Sequence, residues 1–163
     1  MKKIGLVLTV VVLGCLLSCC SISKQQGSDN IKMQKFTQRD DYSCIITNNG
    51  ITKTYHTTGI YDLYHILCTD KQFLNGAEVT DRAIGKAAAA LMIIGGIKEA
   101  KTPLISTPAK NLFLKHGVKV SFDKEVDNIL NRNKTGLCPM EKRIVDTDNL
   151  YEIYVKIEEF VNE

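Results

Sequence analysis

Between Gly76 and Gly96 the chain reads GAEVTDRAIGKAAAALMIIGG, and this stretch limits the possible folds more than any other. Ala77–Thr80 is short and apolar, as a buried strand is. Asp81 stands where it could cap a helix, which Ala87–Ile94 carry and Gly95-Gly96 end. Four successive alanines have no bulk beyond Cβ, so this helix can lie very close to a sheet.

The neighbouring segments repeat the alternation. DYSCIITNNGITKTYHTTG (41–59) reads as a β-hairpin about Asn48-Asn49-Gly50, with Tyr42, Cys44 and Ile46 alternating on one strand. In GIYDLYHILCTDKQFL, the residues Ile60, Leu63, Tyr64 and Leu67 share one helical face. EAKTPLIS (99–106) is a strand, and TPAKNLFLKHG is a short helix capped by Thr107, with Pro108 first and Gly117 last. VKVSF (118–122) alternates as a strand, and KEVDNILNRN is a helical turn or irregular. A new helix starts at Cys138-Pro139. The last, NLYEIYVKIEEF (149–160), sets Leu150, Tyr154, Ile157 and Val161 on one face behind an Asn149/Glu152 capping box. The order β-β-α-β-α-β-α-β-α-α implies a layered α/β domain with a mixed sheet.

The N-terminus carries an address. Lys2 and Lys3 precede an apolar run from Ile4 to Leu17, too short for a stable membrane span but fitting a secretory signal. Leu16-Leu17-Ser18-Cys19 resembles the lipobox of bacterial lipoproteins. That resemblance implies cleavage after Ser18, a lipid on Cys19 and anchoring in the cell envelope on the periplasmic side. The expected organisation is a signal peptide over 1–18, a polar tether over 19–40 and one domain over 41–163. Of the net charge of +3, Lys2 and Lys3 supply two, so the mature chain is nearly neutral. It lacks the clustered basic residues that a nucleic-acid polymer would require. An oxidising compartment would permit disulfides among Cys20, Cys44, Cys68 and Cys138, but their spacing selects no pairing. Cys44 and Cys68 read as small buried apolar residues in a strand and a helix.

The segments DRAIGKAAAALMIIGGIKEA, LFLKHGVKV and ILNRNKTGLCPMEK resemble a small bacterial and archaeal family of uncharacterised domains. The Asn-Arg-x-x-Thr-Gly-x-Cys-Pro-Met-Glu run carries most of the likeness, which covers about 41–146. The resemblance implies a cytidine-deaminase-like fold, a three-layer α/β/α sandwich around a mixed sheet, and no particular activity. Zinc-dependent deamination requires H-x-E and P-C-x-x-C at helix starts. DRAIGKAAA has no His, Cys or Glu, and LCPMEK has one cysteine in Cys-Pro order, so the residues argue against that chemistry and no metal is expected. No phosphate loop, dinucleotide fingerprint or nucleophile elbow is present, so no cofactor is expected either.

What remains is polar density at two predicted helix starts, where α/β proteins hold ligands. Asp81 and Lys86 form one group; Asn131, Arg132, Cys138 and Glu141 form the other. Arg132 could grip a carboxylate or phosphate, Asn131 a planar ligand, and Cys138 or Glu141 could serve as nucleophile or base. Each also has a structural reading: Asp81 and Glu141 at helix ends, Asn131 in an Asx-turn, Arg132 in a loop ion pair, Lys86 solvated. Together they favour a pocket for a small anionic or nucleotide-like ligand. The alternatives are a metal-independent enzyme using Cys138 or Glu141, and a structural partner of another envelope protein.

Overall fold

A computed structural model describes residues 42–57 and 59–163. The expected signal peptide, the tether, Cys19 and Cys20 lie outside these residues. Among the described residues, no helix is long and apolar enough to cross a membrane.

The hairpin is β1 (Cys44–Asn48) and β2 (Ile51–Tyr55), antiparallel with Asn48 facing Ile51. Asn49 and Gly50 both take positive φ, 48° and 77°, as a tight two-residue turn requires. Helix α1 (Tyr61–Thr69) buries Leu63, Ile66 and Leu67, and the chain breaks at Asp70 before the short α2 (Lys71–Leu74). Then come β3 (Glu78–Asp81), α3 (Lys86–Gly95), β4 (Glu99–Ser106), α4 (Thr107–Lys115) and β5 (Lys119–Val126). A five-residue α5 (Pro139–Arg143) and α6 (Leu150–Val161) complete the chain.

The sheet is five-stranded and mixed, in the order β2-β1-β3-β4-β5. β1 is antiparallel to both its neighbours, whereas β3, β4 and β5 run parallel. The α/β class and the mixed sheet are therefore as the sequence implies. The β3–β4 and β4–β5 crossover helices, α3 and α4, pack against each other on the sheet. Helices α1, α2, α5 and α6 also pack on α3, so its residues from Lys86 to Met92 are all buried. Its alanines share a core with Val79 of β3 and Ala100 and Ile105 of β4. Each large side chain buried there, Leu91 or Phe113 for example, contributes roughly 1.5–3 kcal/mol. The opposite face of the sheet is polar. Glu78 and Glu99 pair there with Lys101, and Glu99 also pairs with Lys119.

Four local expectations are corrected. Asp81 ends β3 rather than capping α3, whose N-cap is Gly85. Ser106, not Thr107, caps α4, its hydroxyl accepting from the Ala109 N–H at 3.3 Å. Cys68 is exposed, because it falls opposite the Leu63–Leu67 face; its thiol lies 3.8 Å from the Tyr154 hydroxyl. β5 continues to Val126 because the Lys124-Glu125-Val126 backbone pairs with β4 as far as Ser106. The final helix starts as expected: Asn149 Oδ1 accepts from the N–H groups of Tyr151 and Glu152. The return bond of the expected capping box is replaced by a relay. Thr147 accepts from the Asn149 N–H and donates to Glu152.

Candidate functional site

A cavity of about 240 Å³ opens at the end of β3 and the start of α3. One wall is the turn between them. Ile84 locks this turn to β4: its N–H donates to the Leu104 carbonyl at 2.8 Å, and its carbonyl accepts from Ser106 at 3.0 Å. The turn holds Asp81 in an Asx arrangement, with Oδ1 accepting from the Ala83 N–H at 3.1 Å. Asp81 is only 8% exposed. Burial pushes its carboxyl up to about 7, against the opposing pull of the Ala83 and Arg82 backbone N–H groups.

The other wall comes from the stretch between β5 and α6. Leu130 and Leu137 pair in an antiparallel bridge, and the Cys138 N–H donates to the Ile129 carbonyl at 2.9 Å. This brings Ile129, Cys138, Met140 and Glu141 to the cavity. The Cys138 thiol is free and half-buried. Glu141 is buried, and its carboxylate accepts from the backbone N–H groups of Lys86 and Ala87. It therefore caps α3 from a distant segment, using the donors that Gly85 has no side chain to satisfy. Burial raises the Glu141 pKa, and those two N–H bonds oppose the rise. Gly85 is needed for this approach, because a Cβ there would collide with Glu141 Oε1 and press on Ile129.

Of the six residues singled out in the sequence, the cavity gathers Asp81, Cys138 and Glu141. Lys86 is buried and turns away: its ammonium lies 2.8 Å from Asp148 Oδ1, and it donates to the carbonyls of Ile144 and Val145. Asn131 is spent on its own loop, accepting from the Thr135 N–H and donating to the Thr135 hydroxyl, both at 3.0 Å. Arg132 is exposed on the outside of that loop and does not line the cavity. The cavity also takes Ser43, Ile60 and Arg82. Ser43 and Ile60 had no signal in sequence, since each is an ordinary residue beside a strand or helix. A glycine directly before an alanine-rich helix was a readable sign of close approach. Among the described residues, no group of three or more His, Cys, Asp or Glu side chains could hold a metal ion.

A family model described as TM1506, Domain of unknown function (DUF1893), matches residues 32–161. The chain belongs to the DUF1893 family. A solved structure of a DUF1893 family protein, TM1506 from Thermotoga maritima, is 25% identical to it. The likeness covers 73% of this chain and 80% of that one, with a TM-score of 0.66. No curated protein matches. The DUF1893 match includes both cavity walls, the β3–α3 turn and the 129–141 stretch.

Proposed function

We propose that the cavity binds a small nucleotide-like ligand, with its ring inside and an anionic tail at the rim. The observation that carries this reading is the presence of two buried carboxyl groups, Asp81 and Glu141, in one cavity whose apolar lining includes Ile60, Ala87, Ile129 and Met140 and whose other polar groups are Ser43, Arg82 and Cys138. Carboxylates accept hydrogen bonds and repel anions, so the interior suits a planar molecule with N–H donors. An anion buried in the cavity would need Lys86 or Asn131, and both are engaged elsewhere. The exposed Arg82 at the rim supplies the cation for a phosphate or carboxylate tail. The mixed sheet, with helices crossing between its parallel strands, supports the deaminase-like reading of the scaffold.

Thermal-shift titration with adenine, cytosine and their monophosphates tests this. The monophosphates should raise the melting temperature most. Arg82→Ala should remove the phosphate increment, and Asp81→Asn should remove the ring's contribution. No shift with any of the four, or shifts that Asp81→Asn leaves intact, would reject the reading.

Chemistry at Cys138 is the second reading, favoured by the thiol sharing the cavity with a carboxyl that exchanges its proton near neutrality. Alkylation rates of Cys138 between pH 5 and 9 test it; an inert thiol throughout ends it. We further propose that a lipid on Cys19 anchors the domain in the envelope, which the Leu16-Leu17-Ser18-Cys19 sequence supports. Cys19→Ser should then move the protein from the membrane fraction to the soluble fraction.

A further inference from the structure

We propose that residues 127–148 form a hinged strap over the cavity, latched shut by Lys86 of α3. The inference rests on the ligand reading above and concerns access to the same site. The strap supplies Ile129, Cys138, Met140 and Glu141 to the cavity wall. Its only helix has five residues, and its loop bonds within itself rather than to the sheet: Asn131 N–H to Gly136 carbonyl, Lys134 N–H to Asn131 carbonyl, Thr135 N–H to Asn131 Oδ1. Its ends are fixed, by β5 through Val126 on one side and by the Asn149-capped start of α6 on the other.

The strap is tied to the body at few places. Met140 and Ile144 insert apolar side chains into the core. The polar ties to α3 fall on its first two residues, where Glu141 takes the Lys86 and Ala87 N–H groups, while a solvent-facing pair joins Arg143 to Glu163 at 2.6 Å just past α6. The Lys86 ammonium reaches Asp148, Ile144 and Val145. The latch is lopsided: the Lys86 side chain is 7% exposed and that of Asp148 57%. Water therefore competes for Asp148 while the strap is still closed. Segments with few apolar anchors and solvent-facing polar ties open locally before the whole domain unfolds. Opening uncovers Cys138 and the cavity behind it, while the sheet and α6 stay in place.

The cysteines read this motion directly. Cys44 is buried in β1 and reports global unfolding, the exposed Cys68 labels without any opening, and the half-buried Cys138 reports the strap. Wild type and Lys86→Met would be treated with N-ethylmaleimide and quantified peptide by peptide, alongside amide hydrogen exchange. Methionine keeps the packed stem and withdraws the ammonium from Asp148, which is already wet, and from the Ile144 and Val145 carbonyls. Loss of the latch should raise Cys138 labelling roughly tenfold. Exchange at 139–145 should rise with it, while Cys44 labelling and exchange at Ile153–Ile157 stay at wild-type levels. Cys138 labelling that does not change, or that rises in step with Cys44, overturns the proposal. Because the reagent needs no ligand, this result stands apart from the outcome of the nucleotide titration.

Discussion

Helix α3 and the 127–148 segment meet at one cavity but are built on opposite terms. α3 is held by apolar packing on every side, with no bonded side-chain cap of its own and a left-handed Gly96 to stop it. The 127–148 segment is held mainly by polar bonds, many within itself, and buries Met140, Glu141 and Ile144 only at α5 and its end. Packing fixes a backbone in place, whereas polar bonds at a surface fix it only as well as water permits. In this domain the rigid half presents donors and the looser half presents the carboxylate that fills them.

The contrast can be broken most forcefully in the core. Leu91→Ala in α3 should cost about 3–5 kcal/mol, because a residue enclosed on all sides leaves a cavity that cannot collapse. Met140→Ala in α5 should cost about 2 kcal/mol, since the short helix can settle into the space. Urea denaturation of both variants measures the gap, and equal losses would erase the distinction.

The next effect is one of pH. Asp81 is pushed up to about 7 by burial, above its unfolded value. Between about pH 4 and 7 the folded state therefore holds a proton that the unfolded state has released. The stability tied to this proton is fully present below the unfolded value and is lost as pH rises through about 7. Glu141, also raised by burial, acts in the same direction. Relative to Asp81→Asn, wild type should lose about 1 kcal/mol per pH unit over that range. Above pH 7 the Asn variant should be the more stable protein. Parallel pH profiles for the two would show that Asp81 does not titrate there.

A smaller loss probes the join between the halves. Gly85→Ala drives Glu141 off the α3 N–H groups and should cost about 1–2 kcal/mol, with faster exchange at the start of α3. The smallest effect belongs to the polar sheet face. Lys101→Ala should change stability by less than about 1 kcal/mol, because its pair with Glu78 is part-exposed and screened and the buried Glu99 keeps Lys119 as a partner.

How far the sequence could be read follows the same division. The 76–96 strand and helix, the Asn-Gly hairpin and the final helix all announced themselves, because periodicity and turn chemistry are local properties. The limits of β4 fell where the pattern put them. β5 was read short because Asp123-Lys124-Glu125 lie at an exposed edge, where backbone pairing continues without apolar alternation. In the site, Asp81, Cys138 and Glu141 were readable as a group because both segments begin helices at one end of a sheet. Asn131, bonded within its own loop, followed the structural alternative read for it, whereas the fate of Lys86 was not readable. Whether an ammonium faces a cavity or the carbonyls of Ile144 and Val145 depends on contacts made across the fold, which no spacing records.

The cap on α3 has one more consequence, for the order in which the protein can be completed. α3 is synthesised well before Glu141, so the most enclosed helix of the domain leaves the ribosome with its leading N–H groups unmet. Those groups close only when a later part of the polypeptide folds back over them. A chain ending before residue 141 would carry every strand of the sheet and still lack the piece that finishes its central helix.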